Sequence, residues 1–239
     1  YLFDIDGIRP TDKEIKERLI NDKPDVVGIS GVVSTAYVFI KKLVTIINDL
    51  LPETIVVVGG NVAANSEILL TISNVDYCVI SEGELAATEL WTYINKYKNN
   101  KKSNPENYDK LKKIKGITYV DENEICQFTG YQPNLPAEEL YDIDYDILER
   151  DTDISRYIIE PWFYHPFVLD DRSYEPHRKG KKLTTLITTK GCVAKCTFCH
   201  RWDSKIRFVP VDLVIERIKN VIKKYNVGFI SFSDENWGS

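Results

Sequence analysis

Three short runs dominated by β-branched residues punctuate the first third of the chain: Asp25-Val-Val-Gly-Ile29, Thr54-Ile-Val-Val-Val58 and Asp76-Tyr-Cys-Val-Ile80. Each is bounded by Gly, Pro or Ser, and each lacks the alternation of a half-wet strand, so each predicts a strand buried on both faces. Amphipathic stretches lie between them. Thr11 and Glu14 form a capping-box pattern after Pro10, with Ile15 and Leu19 on one helical face. Ala36, Ile40, Leu43, Ile47 and Leu50 repeat at helical spacing until Pro52 stops them. Glu84–Tyr97 predicts another helix, with Leu85, Thr88, Trp91 and Tyr93/Ile94 facing inward. Strand and helix in alternation predict an α/β fold built on a parallel sheet with both faces covered. Tyr1–Ile5 reads as one more strand.

Further along, Gly116–Val120 and Ile125–Thr129 flank Asp121-Glu-Asn-Glu124, the pattern of a short hairpin. The eight lysines of residues 96–115 read as a solvated linker, and the nine acidic residues of 134–160 as an exposed connector. A second strand–helix–strand unit follows: Leu183–Thr189, then a helix Val211–Tyr225, then Gly228–Phe232.

Composition excludes several function classes. In 239 residues, 31 Lys and Arg stand against 36 Asp and Glu, a net charge of −5, which gives no general footprint for nucleic acid. No apolar run approaches the ~20 residues of a membrane span. Near Tyr1, Asp4, Asp6 and Arg9 interrupt any signal-like core, so the expected location is cytoplasmic. The chain holds no Met and does not start with one, which predicts a processed chain or a fragment.

Chemistry concentrates in Gly191-Cys-Val-Ala-Lys-Cys-Thr-Phe-Cys-His-Arg201. Cys192, Cys196 and Cys199 have the spacing C-x3-C-x2-C directly after a strand. Three thiolates on one loop suit a soft metal centre: zinc, copper(I) or an iron–sulfur cluster. Three Cys are one short of the usual cluster set, which would leave one iron open to an outside ligand. Structural zinc with His200, Cys126 or Cys78 as fourth ligand is an alternative. So are c-type haem at Cys196-Thr-Phe-Cys199-His200 and three inert thiols.

At these residues the chain resembles the radical S-adenosylmethionine enzymes, with Phe198 as the aromatic of the C-x3-C-x-aromatic-C loop. The resemblance implies that Cys192, Cys196 and Cys199 hold a [4Fe–4S] cluster. It implies that the open iron chelates S-adenosylmethionine and that reductive cleavage gives a 5′-deoxyadenosyl radical. It also places Phe198 near the adenine. Ser233-Asp-Glu-Asn236 follows a strand as the family's polar segment does, so Asp234 or Glu235 is the candidate for the amino group; strand ends of this kind carry function in β/α barrels. An outside electron donor is implied as a partner, and the substrate, a small molecule or peptide, is not identified.

The first hundred residues resemble the cobalamin-binding domain that precedes many such barrels. The carriers are Asp25–Ser30, Val58-Gly-Gly60 and Asp76-Tyr-Cys-Val-Ile-Ser-Glu-Gly-Glu84. The connector, with Lys115-Gly-Ile-Thr-Tyr119 and Asn134-Leu-Pro136, is similar to that family's too. By this resemblance Ser30, Gly31, Gly59, Gly60, Asn61, Glu82 and Gly83 line a corrinoid site. The family's D-x-H-x-x-G, whose His ligates cobalt, has no counterpart, since the three His are His165, His177 and His200. Either that loop precedes the sequence, Tyr1–Ile5 then being the domain's second strand, or the domain binds cobalamin without a protein ligand, or binds none.

The expected architecture is an incomplete flavodoxin-like (Rossmann-like) cobalamin-binding domain over 1–98, its first strand missing, then a connector over 99–178. The start of a radical S-adenosylmethionine β/α (partial TIM) barrel follows over 179–239. The expected chemistry is methyl transfer, or a cyclisation or rearrangement. The rivals are the same enzyme type without cobalamin and a non-catalytic zinc-stabilised α/β module. Pro161-Trp-Phe-Tyr-His-Pro166 reads as connector packing, with Trp162, Tyr164 and His165 as possible pocket borders.

Overall fold

The structure is a computed structural model that describes residues 1–97, 105–161, 176–194, 196–197 and 205–234. Cys199, Phe198, Glu235, His200 and the stretch Trp162–His165 lie outside the described residues. The chain divides into two compact units.

One expectation fails at the start. Residues 1–4 carry no regular structure, and a single-turn helix α1 (Ile5–Ile8) follows. The cause is local: the Asp4 carboxylate accepts the Gly7 N–H at 2.9 Å, capping a turn that an extended Tyr1–Ile5 would not allow. This segment counts with the second unit, where Leu2 N–H donates to Asp151 at 2.6 Å and the Tyr157 hydroxyl to Asp4 at 2.6 Å.

The first unit, Pro10–Asn134 with 196–203, is a five-stranded sheet in the order β1 to β5. α2 (Asp12–Asp22) starts in the expected capping box: the Thr11 hydroxyl accepts the Glu14 N–H, and the Glu14 carboxylate accepts the Thr11 N–H at 2.7 Å. β1 (Val26–Ser30), β2 (Ile55–Gly59) and β3 (Tyr77–Val79) run parallel. They are joined by α3 (Tyr37–Leu50) and α4 (Ser66–Ile72), the crossover connections that parallel neighbours need. α5 (Gly83–Tyr97) and α6 (Pro105–Leu111) then lead to β4 (Ile117–Val120) and β5 (Cys126–Phe128), an antiparallel hairpin that extends the same sheet through β3. The lysine-rich stretch read as a linker thus contains a packed helix, with Tyr108 and Leu111 buried.

Successive side chains of β2 alternate between two buried faces. Ile55 and Val57 join Tyr77, Val79, Leu90, Ile94, Leu111, Ile117 and Tyr119 in one cluster. Val56 and Val58, fully buried, point the opposite way. The inward face of α5 keeps Tyr93 and Ile94 as expected but otherwise differs. Ala86, Leu90, Tyr93 and Ile94 are buried, whereas Leu85 is 44% and Trp91 41% exposed. Helical spacing fits both stripes, and packing against β3 and β4 selects the one that starts at Ala86.

The second unit, 1–9 with 135–195 and 204–239, holds α7 (Tyr145–Asp151) and a three-stranded sheet in the order β10-β7-β6. β6 (Ile158–Ile159) pairs antiparallel with β7 (Lys182–Leu186), and β10 (Val227–Phe232) pairs parallel with it. α8 (Val211–Tyr225) makes the crossover, and Val221 packs on Ile158 and Val227. The single strand expected over Leu183–Thr189 is broken at Ile187–Thr188. A separate ribbon follows, β8 (Thr189–Lys190) against β9 (Arg207–Phe208).

Candidate functional site: the strand ends and the cysteine segment

In the first unit the carboxyl ends of β1, β2 and β3 bring the expected corrinoid residues to one sheet end, where ligands of doubly wound sheets sit. The ends are fastened together. Gly31 N–H donates to Gly59 O at 2.9 Å, and Val62 N–H donates to Gly31 O at 3.0 Å. Gly60 has φ +79° and lies so close to Gly31 that a Cβ would meet its carbonyl oxygen at 2.5 Å. Only glycine supplies both that dihedral and that approach. Around this floor, Ser30 and Asn61 are exposed, Gly59 and Gly83 half-buried, and Glu82 buried. Val32 and Val33, next to Gly31, are 65% and 58% exposed.

Sequence reasoning passed over Ser81. This non-glycine residue sits at φ +79°, a sparsely populated conformation for a side chain with Cβ. Its hydroxyl is buried with no hydrogen-bond partner. An unmet buried hydroxyl calls for a partner that the protein itself does not supply. A flat glycine floor, an apolar valine pair and an orphaned hydroxyl fit a large ligand with polar edges, as a corrinoid is.

In sequence, β8 and β9 of the second unit bracket residues 191–206, the stretch that carries the three cysteines. Gly191 turns the chain at φ +94° immediately before Cys192. Cys192 is half-buried and its sulfur accepts the Ala194 N–H at 3.3 Å; Cys196 is exposed. Among the described residues neither forms a disulfide. Reduced, accessible sulfur on irregular backbone is the donor chemistry of a soft metal centre. Among the described residues no group of three or more His, Cys, Asp or Glu side chains comes together as a metal site, Cys199 not being one of them. Cys78 is a different kind of thiol: burial pushes it up to about 12, which keeps it a protonated core residue.

Asp234 lies one residue past Ser233, whose N–H donates to Leu186 O at 3.0 Å. Its carboxylate accepts four hydrogen bonds, from the N–H groups and the hydroxyls of Thr188 and Thr189, at 2.6–2.9 Å. Partial burial would raise its pKa, but these bonds outweigh it and hold the carboxyl below its usual value.

Among the described residues no helix is long and apolar enough to cross a membrane.

Residues 3–91 match the B12-binding family, a B12 binding domain. Over 237 residues the chain is 24% identical to a cytidylyl-2-hydroxyethylphosphonate methyltransferase of Streptomyces wedmorensis, covering 95% of this chain and 42% of that protein. Over 233 residues it is 24% identical to an anaerobic magnesium-protoporphyrin IX monomethyl ester cyclase of Rubrivivax gelatinosus, covering 94% and 36%. The chain therefore spans less than half the length of these relatives. Its fold is similar to that of the cobalamin-dependent S-adenosylmethionine radical enzyme OxsB with aqua-cobalamin bound. That match has a TM-score of 0.65 at 20% identity and covers 95% of this chain and 28% of the other. The same enzyme with aqua-cobalamin and S-adenosylmethionine bound matches at 0.63. Residues 3–91 thus match the B12-binding family, within a chain whose fold is similar over 95% of its length to that of the cobalamin-dependent S-adenosylmethionine radical enzyme OxsB.

Proposed function

We propose that this chain belongs to a radical S-adenosylmethionine enzyme of the cobalamin-binding type, acting on an unidentified small molecule or peptide by methyl transfer or by cyclisation or rearrangement. The observation that carries the reading is the C-x3-C-x2-C segment, which in sequence directly follows β8, after β7 and ahead of α8 and β10. Cys192, Cys196 and Cys199 would hold a [4Fe–4S] cluster, with Phe198 beside the adenine of S-adenosylmethionine and Asp234 or Glu235 serving its amino group. Ser30, Gly31, Gly59, Gly60, Asn61, Glu82 and Gly83 would line the corrinoid, with the Ser81 hydroxyl added to that set.

When bound, the cluster supplies the electron that breaks the sulfonium bond, and the corrinoid supplies a methyl carrier. The chain's own residues bind and orient. The Gly31–Gly59–Gly60 floor lets backbone approach the ligand closely. Val32 and Val33 offer apolar surface that a flat macrocycle would cover. No His occurs among the first hundred residues, so the corrinoid would be held there by the residues just named, without an imidazole donor from 1–100.

Anaerobic reconstitution with iron and sulfide tests the reading. It should produce a broad visible absorption band that bleaches with dithionite and is lost in Cys196→Ala. Hydroxocobalamin should co-elute with the chain on gel filtration. A band that persists in Cys196→Ala overturns the cluster assignment, and cobalamin that separates from the chain overturns the corrinoid site.

A further inference from the structure

We propose that Asp234 is a positioning residue for Cys192, at the entry of the cysteine segment, a role that rests on the cluster reading above and takes Asp234 itself out of contact with the amino group. The register of β7 and β10 runs out at Leu186 and Phe232, and the Ser233 N–H to Leu186 O bond is the last backbone link. Beyond it the Asp234 side chain takes over. Its Oδ1 accepts the Thr188 N–H at 2.7 Å, the Thr189 N–H at 2.6 Å and the Thr189 hydroxyl at 2.8 Å; its Oδ2 accepts the Thr188 hydroxyl at 2.9 Å. A carboxylate has about four acceptor sites, so this one is committed to the chain rather than presented to a ligand.

The same two residues open the β8–β9 ribbon. Thr188 O accepts the Val209 N–H at 2.8 Å, and Thr189 pairs with Phe208. The ribbon is steadied from outside: the Arg207 guanidinium donates to Leu135 O at 2.8 Å, the Lys190 ammonium lies 5.4 Å from the centre of the Tyr141 ring, and Val209 packs between Leu135 and Leu140. From Thr189 the chain reaches Cys192 in three residues, through the left-handed turn at Gly191. Over so short a path, about 10 Å of extended chain at most, a shift at Thr189 passes directly to the first sulfur. Asp234 thus ties the end of β10 to the entry of the cysteine segment, and charge-assisted bonds to backbone N–H make the tie stiff.

The test compares Asp234→Ala, Asp234→Asn and Thr189→Val with the wild-type chain. Asn keeps an acceptor for the two N–H groups and a donor for a hydroxyl, so it preserves the tie without the charge. Thr189→Val removes one hydroxyl and leaves the backbone donors, so it probes the tie with little threat to folding. Amide exchange at Thr188 and Thr189 is read on metal-free protein, and iron retention and S-adenosylmethionine binding on reconstituted protein. Asp234→Ala should speed exchange at these amides by about tenfold or more and lower retained iron, with Asn restoring most of both and Thr189→Val falling between. Unchanged exchange and iron in Asp234→Ala and Thr189→Val overturns the inference. So does normal iron with S-adenosylmethionine binding lost in both Ala and Asn, the signature of direct contact. A wild-type chain that takes up no iron overturns the cluster reading itself, separately, because the exchange rates are read without metal.

Discussion

Gly60 packs against Gly31 so closely that one added methyl would lie 2.5 Å from the Gly31 carbonyl oxygen. That oxygen already accepts the Val62 N–H, and the Gly31 N–H donates to Gly59, so the ends of β1 and β2 form one floor. Gly60→Ala meets both a steric conflict and an unfavourable positive φ. It should cost about 1–3 kcal/mol in a urea unfolding experiment and abolish co-elution of hydroxocobalamin. Gly180 also has positive φ, but nothing lies within 4 Å of its would-be Cβ. Gly180→Ala should therefore cost about 1 kcal/mol and leave cobalamin retention intact.

The packing register of α5 gives a second prediction. Leu90 is fully buried among Ala86, Ile94 and Leu111, whereas Leu85 is 44% exposed. Leu90→Ala should destabilise by about 2–5 kcal/mol through lost contact and a residual cavity, and Leu85→Ala by under about 1 kcal/mol. Equal costs in chemical denaturation would contradict the register.

The same helix shows where sequence reading reaches its limit. The existence of α5, of α3 with its Ile40–Leu43–Ile47 stripe, and of α8 over Val211–Tyr225 was legible, because each carries sustained helical periodicity. The three parallel strands were legible within a residue or so from β-branched runs, but β1, at the edge of the sheet, is half-buried to exposed rather than buried on both faces. The stripe that α5 buries was not, since Leu85 and Leu90 both fit a helical repeat and only β3 and β4 decide between them. Tyr1–Ile5 looked extended by composition, yet the Asp4 cap makes a helical turn. The break at Ile187–Thr188 was hidden too. Its cause is the Asp234 carboxylate, which is 45 and 46 residues away in sequence from the Thr residues it binds. The glycines at the ends of the parallel strands were legible as strand-end positions from their order along the chain. Ser81 was not, because neither its positive φ nor its unmet hydroxyl has a residue-type signature.

Asp234 makes stability depend on pH in a stated direction. Its folded-state pKa lies below the ordinary carboxylate value: burial would raise it, but the Thr188 and Thr189 hydrogen bonds more than compensate. A depressed carboxylate contributes stability that is complete above its unfolded pKa of about 4. That contribution is lost as pH falls through the lower, folded value. The difference in melting temperature between wild type and Asp234→Ala should be constant at neutral pH and close under acid conditions below about pH 4. A difference that does not change with pH would contradict the assignment.

The thiols should separate by reactivity. Cys78 is buried and its thiol is pushed up to about 12, while Cys196 is exposed. In metal-free protein at mildly alkaline pH, iodoacetamide should modify Cys196 and spare Cys78 until the chain is unfolded. Labelling of Cys78 in the folded chain, read by mass spectrometry of peptides, would contradict its place in the β3 core.

Elemental and sulfide analysis of anaerobically reconstituted protein tests the central claim most directly. The account predicts about four iron and about four sulfide per chain, lost alike in Cys192→Ala, Cys196→Ala and Cys199→Ala and kept in Cys78→Ala and Cys126→Ala. One zinc per chain with no sulfide, or metal lost when Cys78 or Cys126 is replaced, would contradict it.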